Sequence, residues 1–210
     1  YPGFAMIALE EKYPGATAMF FAGCGGDINP LPRRSLALAE QYGAELAAAV
    51  ERALKESPKA LDPSLRMQYR ETELALEDPP SREALEEIAE TAPGYKARCA
   101  QEMVDQLDAG QPLRTTYPYP VQVWQLGSQT IVALGGEVVV DYAIAIKKEL
   151  GRETFVMGYS NDCVSYIPSV RVLEEGGYEG ASAQMLYGMP AKWKPSVEER
   201  VLGAVFELAK

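Results

Sequence analysis

Gly23-Cys24-Gly25-Gly26-Asp27-Ile28-Asn29-Pro30 is a glycine-rich polar stretch that directly follows an apolar run, Ala18 to Ala22. The run predicts a buried strand from Thr17 to Ala22, and α/β proteins bind ligands at the loops that follow strands. Asp27 and Asn29 alternate along the loop, so both side chains can point into one cleft. The stretch therefore predicts an α/β fold with functional residues at this loop. A tight strand-to-helix turn without chemistry is the simpler alternative.

Polar loops also follow two later apolar runs. Gly135-Gly136-Glu137 comes after a predicted strand, Thr130 to Leu134, and Ser160 to Pro168 follows a predicted strand, Phe155 to Tyr159. If the strands are parallel neighbours, their loops meet at one edge of the sheet. The side chains expected in one pocket there are Asp27, Asn29, Glu137, Asn161 and Tyr166. For Glu137 alone, an ordinary acid in the first turn of a helix is the alternative.

The remaining pattern predicts helices around a mixed sheet. Apolar residues at helical spacing predict a long helix from Ser35 to Ser57, and Val138 to Leu150 reads as a second one. Alternation over Leu65 to Leu76 predicts a partly exposed strand. Val121 to Leu126 predicts a strand joined to Thr130 to Leu134 by a turn.

Residues 81–110 are an insertion in this pattern rather than a second domain. Ser81 is a predicted N-cap for an acidic helix that ends at Thr91, and a second helix is predicted from Tyr95 to Leu107. The glutamates of this hairpin predict a solvated face, although a lid would have the same pattern. We expect one α/β domain or domain fragment over residues 1–210: a mixed β-sheet flanked by helices, with a helical hairpin insertion.

The chain contains no histidine among its 210 residues. A Ser-His-Asp triad, a Cys-His pair or a three-histidine zinc site therefore cannot be built from these residues alone. A hydrophobic content of 47% is enough for a substantial core. The chain begins at Tyr1 without an initiator methionine, which suggests a fragment or a processed product.

Charge and cysteine content exclude several classes of partner. The chain carries 20 basic and 30 acidic residues, a formal charge of −10, which repels phosphate backbones and anionic membranes. We expect no nucleic-acid partner, and no apolar run is long enough for a transmembrane segment. Cys24, Cys99 and Cys163 are predicted to be mostly buried thiols. The sequence suggests a soluble protein of unknown compartment, secreted or periplasmic if an upstream signal was lost.

At its polar loops the chain resembles the neutral ceramidases, also called neutral/alkaline non-lysosomal ceramidases, over essentially its whole length. Gly26-Asp27-Ile28-Asn29-Pro30-Leu31 is similar to the family's Gly-Asp-Val-Ser-Pro-Asn type motif, and Gly135-Gly136-Glu137 resembles its Pro-Gly-Glu motif. The last third of the chain matches the family in order and spacing at four places: Gly158-Tyr159-Ser160-Asn161, Tyr166-Ile167, Tyr178 to Ser182 and Tyr187-Gly188.

The resemblance implies a zinc-dependent amidase that cleaves the N-acyl bond of ceramide into sphingosine and fatty acid. It implies a zinc ion held by two histidines, a glutamate and a tyrosine, of which the last two fall on Glu137 and Tyr166. Both histidines are expected upstream, so this chain would be the C-terminal part of a catalytic domain and inactive by itself. The resemblance makes Asp27, Asn29 and Tyr178 the catalytic candidates, Tyr178 because it matches a family tyrosine near the substrate.

One position departs from the family. Asn29 stands where the family has a serine that is assigned as a nucleophile or key hydroxyl, and an amide cannot form an acyl-enzyme. A zinc-hydroxide route survives this change, because an amide can still donate a hydrogen bond to an oxyanion. The expected substrate is therefore a ceramide-like lipid or another small N-acyl amide. Two alternatives stay open: a non-catalytic binding or interaction module, and a phosphate-binding enzyme using Gly23 to Gly26, although no Gly-Lys-Ser/Thr follows.

Overall fold

The computed structural model describes all residues, 1–210, as a mixed α/β structure. The strands are β1 (Leu65–Ala75), β2 (Thr116–Leu126), β3 (Gln129–Leu134), β4 (Glu137–Val138), β5 (Phe155–Met157) and β6 (Tyr166–Ile167). The α-helices are α1 (Pro2–Lys12), α2 (Leu36–Lys55), α3 (Arg82–Thr91), α4 (Tyr95–Asp108), α5 (Val140–Leu150), α6 (Val170–Glu175) and α7 (Ser196–Leu208). A π-helical turn, Tyr178–Ser182, and a 3₁₀ helix, Gln184–Tyr187, lie between α6 and α7.

The main sheet has the strand order β1-β2-β3-β5, and β4 and β6 form a second, two-stranded sheet. The β1-β2 and β2-β3 pairs are antiparallel, whereas β3-β5 and β4-β6 are parallel. Pro118 and Pro120 lie in β2 where it pairs with β1 but not with β3. A proline has no N–H to donate, so it fits a stretch of strand with one free side. The predicted mixed α/β fold is confirmed.

The core lies between one face of the main sheet and helices α5 and α7. Alternate residues of the strands, such as Val121, Val123 and Val132, are buried against Ile146 of α5 and Val201 of α7. This arrangement follows from the alternation of side chains along a strand, which sends every second residue to the covered face. None of the helices combines the length and the apolar composition needed to cross a membrane.

The opposite face of the sheet presents an apolar row that crosses all four strands. Met67, Trp124, Ile131 and Phe155 are successive register partners, and the Phe21 ring meets Phe155 edge-on at 6.0 Å. Met67 is 61% exposed and Phe155 49% exposed. The partly exposed strand predicted at Leu65 to Leu76 is confirmed, and its exposed face carries Leu65, Met67 and Tyr69 followed by Glu71 and Glu73.

The prediction of a strand at Thr17 to Ala22 is wrong. The segment forms no hydrogen-bonded ladder, and it contacts the sheet through a hydrogen bond from the Gly158 N–H to the Ala22 carbonyl (3.1 Å). Its side chains at Met19, Phe20 and Phe21 are exposed. An apolar run signals burial but does not supply the neighbouring strand that a ladder requires. The predicted helix after Gly136 also begins two residues later, at Val140, because Glu137–Val138 forms β4.

The insertion forms the predicted helical hairpin. The Ser81 hydroxyl accepts a hydrogen bond from the Ala84 N–H at 3.2 Å and caps α3 as predicted. Leu85, Ala100, Met103 and Val104 form a small hydrophobic cluster of their own, separate from the main core. The hairpin is therefore an element with its own packing.

Candidate active site

Glu137 and Tyr166 come together because they are register partners in the parallel pair β4-β6. The Glu137 N–H donates to the Ser165 carbonyl at 2.8 Å, next to Tyr166. The Tyr166 carbonyl in turn accepts a hydrogen bond from the indole N–H of the fully buried Trp193 at 2.8 Å. The backbone under both predicted metal ligands is thus anchored to the core.

Gly136 makes the close approach of these two strands possible. It has a φ of +72°, in the left-handed region that glycine adopts readily, and a Cβ there would lie 2.5 Å from the Ser165 carbonyl oxygen. The Gly136 N–H also donates to the Asp162 carbonyl at 2.9 Å. The Gly135-Gly136 break after β3 therefore lets the chain turn so that Glu137 lies against Tyr166.

Tyrosine side chains surround the Glu137 carboxylate. The Tyr187 hydroxyl donates a hydrogen bond to Oε1 of Glu137, and the Tyr159 hydroxyl donates to Oε2 at 3.2 Å. The Tyr166 ring meets the rings of Tyr178 and Tyr187 edge-on, at centroid distances of 5.5 Å and 6.3 Å. Glu137 is therefore the centre of a phenol-lined cluster.

Three tyrosines of this cluster, Tyr159, Tyr166 and Tyr187, have raised pKa values. Burial, followed by the charge and hydrogen bonding of Glu137, raises the pKa of Tyr159 to about 12. Burial and the same carboxylate also raise the pKa values of Tyr166 and Tyr187 well above the usual value for tyrosine. At neutral pH these phenols are hydrogen-bond donors, and a nearby cation would be needed to make any of them a phenolate.

Sequence reasoning assigned no role to Tyr159 or Tyr187. Both lie in stretches that carry the resemblance to the ceramidases, and Tyr159 also follows a strand, as Glu137 does. Tyr159 has a φ of +54°, a rare conformation for a tyrosine, which turns the chain sharply after β5. That conformation is a tertiary feature without a signal in the local sequence.

Asp27 lies next to this cluster but bonds elsewhere. Its Oδ1 accepts a hydrogen bond from the Val140 N–H at the start of α5 (2.8 Å), and its Oδ2 lies 3.5 Å from the Arg171 guanidinium. The preceding residue, Gly26, donates its N–H to the Val138 carbonyl at 2.9 Å. The glycine-rich loop is therefore fastened to β4 and α5, and no hydrogen bond joins Asp27 to Glu137.

Asn29 and Tyr178 are both exposed. Asn29 lines a cavity of about 610 Å³ together with Phe20, Cys24 and Tyr159, the residue whose hydroxyl contacts Glu137. Tyr178 begins the π-helical turn and reaches the cluster through the Tyr166 ring.

Asn161 does not join the predicted pocket. Its side-chain amide donates to the Gln122 Oε1 at 3.1 Å and lines a separate cavity on the open face of the sheet. The prediction of mostly buried thiols is also wrong, since Cys24 is buried, Cys99 is partly exposed and Cys163 is exposed. The expectation of one pocket for all five polar residues is therefore wrong: Glu137 and Tyr166 are neighbours, whereas Asp27 bonds α5, Asn29 lines the cavity beside Tyr159, and Asn161 lies on the open face.

The donors present suit part of a zinc site. Glu137 offers carboxylate oxygens, which zinc binds within a four-ligand set, and Tyr166 on the adjacent strand offers a phenol oxygen, an unusual zinc ligand. No group of three or more histidine, cysteine, aspartate or glutamate side chains stands close enough to hold a metal ion. Glu137 and Tyr166 thus fit as two ligands and fall short of a complete set.

The chain shares its mixed α/β fold with two solved ceramidases. The neutral ceramidase from Pseudomonas aeruginosa superposes with a TM-score of 0.67 at 14% identity, over 99% of this chain and 40% of that chain. A ceramidase solved as a complex with C2 gives a TM-score of 0.65 at 14% identity, over 99% of this chain and 41% of the other. At this identity the likeness establishes the fold alone, and this chain spans about 40% of the length of those structures. Sequence comparison matches the chain to no family profile and to no curated protein.

Proposed function

We propose that the protein is a zinc-dependent hydrolase of an N-acyl amide bond, with a ceramide-like lipid as the leading substrate. The observation that carries this proposal is the placement of Glu137 beside Tyr166 on β4 and β6, with phenols around the carboxylate. The ceramidase-like fold supports the proposal independently of the side chains. Residues 1–210 would then be one part of a larger catalytic domain, with the helical insertion at 81–110.

Glu137 and Tyr166 would hold the metal, and the histidine ligands would come from the upstream part of the domain. A zinc ion supplies Lewis acidity toward an amide carbonyl and lowers the pKa of bound water to about 7. Tyr159 and Tyr187 hold the Glu137 carboxylate, because each donates a hydrogen bond to a different one of its oxygens. These donors fix the carboxylate's orientation, as ligand-orienting groups do around metal centres.

Asn29 and Tyr178 would contact the substrate. Asn29 has an amide N–H₂ group, which can donate a hydrogen bond to the oxyanion that develops when an amide carbonyl is attacked. Tyr178 presents an exposed phenol beside Tyr166, where it can bond a polar group of the substrate. The apolar lining of the cavity next to Asn29, including Phe20 and Ile28, suits an acyl chain.

The proposal is tested by assaying a polypeptide that also contains the residues upstream of Tyr1. We expect it to release fatty acid from a short-chain ceramide or a simple N-acyl amide, and we expect Glu137→Gln to abolish both hydrolysis and zinc binding. Glu87→Gln, on the exposed side of α3, is the matched control and should retain both. Full hydrolysis by the Glu137→Gln protein would overturn the proposal. Binding of the lipid without turnover would instead favour a non-catalytic binding module.

A further inference from the structure

Arg171 contacts acidic side chains from three separate parts of the chain. Its guanidinium lies 3.5 Å from Asp27 in the glycine-rich loop, 3.0 Å from Asp141 in α5 and 2.8 Å from Glu175 in α6. The Ser169 hydroxyl, which caps α6, also donates a hydrogen bond to Asp141. Arg171 is therefore the cation at which this loop and these two helices meet.

On one side, this network holds the loop that carries Asn29. Asp27 bonds the Val140 N–H at 2.8 Å, so its carboxylate fastens the loop to the first residue of α5. Gly26 packs so closely on β4 that a Cβ would lie 2.5 Å from the Glu137 carbonyl oxygen. The position of the loop relative to Glu137 thus depends on the Asp27 contacts.

On the other side, the network holds the turn that carries Tyr178. Arg171 belongs to the short helix α6, which is followed by Gly176 and Gly177, both with φ of +72°. Gly180 in the following turn packs against α6, where a Cβ would lie 2.3 Å from the Val172 carbonyl oxygen. The position of Tyr178 therefore follows the position of α6.

We infer that Arg171 and Asp27 are positioning residues, which set the placement of Asn29 and Tyr178 relative to Glu137 by tying both segments to the start of α5. This inference rests on the proposed function for its catalytic consequence. Without Arg171, the carboxylates of Asp27 and Asp141 lose the counter-charge that they share. Arg171 is about half exposed, so its ion pairs add little to global stability, and its loss acts locally on the two segments.

Hydrogen exchange on the 210-residue chain tests whether Arg171 holds both segments against α5, a link called the tie below. This test needs no assay of activity. In Arg171→Gln we expect faster amide exchange in both residues 24–31 and residues 177–183, with β2 and β3 unchanged. Arg82→Gln is the matched control, because Arg82 also bridges two acids, Glu86 and Asp108, but in the distant hairpin. Faster exchange in α6 alone, or equally throughout the chain, would overturn the tie.

Kinetics on the polypeptide extended upstream test the catalytic consequence. Arg171→Gln should lower kcat by about tenfold to a hundredfold with zinc content unchanged, and Arg171→Lys should recover part of the loss. Asp27→Asn keeps an oxygen for the Val140 N–H, so it should retain much more activity than Asp27→Ala. Equal inactivity of the two Asp27 variants, with hydrogen exchange in residues 24–31 of Asp27→Asn unchanged, would show that the carboxylate takes part in the chemistry, which overturns the inference. If the wild-type extended polypeptide does not hydrolyse the substrate, the proposed function is contradicted. The hydrogen-exchange result would still show whether Arg171 holds the two segments.

Discussion

Gly26 is the residue where the glycine-rich loop meets the candidate site most closely. An added Cβ would lie 2.5 Å from the Glu137 carbonyl oxygen and 3.1 Å from the Val138 carbonyl carbon, both rigid backbone atoms. We expect Gly26→Ala to lower the free energy of unfolding by about 1 to 3 kcal/mol, as forced overpacking usually does. Denaturant unfolding measures this. Gly3→Ala in α1 is the control, because nothing lies within 4 Å of its Cβ and alanine favours a helix. Equal stability of both variants would show that β4 is not packed as described.

Asn29 offers a prediction about catalysis rather than stability. If its amide donates to the developing oxyanion, Asn29→Ala should lower kcat by about a hundredfold with a smaller change in KM. The side chain is exposed, so the thermal midpoint of unfolding should not change. Steady-state kinetics on the upstream-extended polypeptide provide the measurement. An unchanged kcat would remove Asn29 from the catalytic candidates.

The hydrogen-bonded pair of Tyr117 and Asp162 should make the free energy of unfolding depend on pH. Burial, followed by a hydrogen bond to the Asp162 carboxylate, raises the pKa of Tyr117 from 10.0 to about 12. The folded state thus binds this proton more tightly than the unfolded state, and the resulting stability is lost as pH rises from about 10 to about 12. In Asp162→Asn, tyrosinate absorbance should show Tyr117, the tyrosine that hydrogen-bonds Asp162, ionising at lower pH, although burial still keeps its pKa above 10. Tyr117→Phe should remove that difference; superimposable wild-type and Asp162→Asn titrations would contradict the assignment.

At the scale of residues, the sequence predicted which motifs lie at the site better than it predicted which side chains contact each other. It brought Glu137 and Tyr166 to one place, because both follow strands and both match the family's motifs. It assigned no role to Tyr159 and Tyr187, whose hydrogen bonds to Glu137 depend on how separate loops pack. It also predicted that Asn161 would face the same pocket, whereas the left-handed φ of +67° at Asn161 accompanies a side chain that bonds Gln122 instead.

At the scale of elements, local signals decided which predictions succeeded. The long helix predicted after Ser35 and the hairpin predicted after Ser81 are both present, because hydroxyl caps and helical periodicity are encoded locally. The strand predicted at Thr17 to Ala22 failed because a strand exists only with a partner, which apolar residues alone do not supply. The short β4-β6 pair lies below the length at which periodicity can be recognised.

We predict that the hairpin α3-α4 can unfold locally while the rest of the chain stays folded. Leu85 is fully buried in its small cluster, so Leu85→Ala should cost about 2 to 5 kcal/mol of local stability. Because this cluster is separate from the main core, hydrogen exchange should accelerate in α3 and α4 while β2 and β3 keep their protection. Leu54→Ala is the control, since that leucine is 64% exposed on α2. Equal acceleration in the sheet would mean that the hairpin and the core unfold as one unit.

At the scale of the whole molecule, the open apolar face of the sheet predicts self-association of the 210-residue chain. Met67, Trp124 and Phe155 form an exposed row, and such patches associate unless another surface covers them. Light scattering should show mass increasing with concentration, and Met67→Lys with Phe155→Lys should reduce it. These lysines also reduce the net charge of −10, so weaker association cannot come from greater repulsion. Ile144→Lys, on the exposed side of α5, is the control. A stable monomer at all concentrations would contradict the prediction.

We propose Glu137 and Tyr166 as two ligands of a zinc site that residues outside this chain complete. Elemental analysis of zinc after dialysis tests this proposal on three proteins: the 210-residue chain, the polypeptide extended upstream, and Glu137→Gln in the extended form. We expect about one zinc per molecule in the extended polypeptide only, because four ligands are needed and two lie here. No zinc in the extended polypeptide, or full occupancy in its Glu137→Gln variant, would contradict the claim.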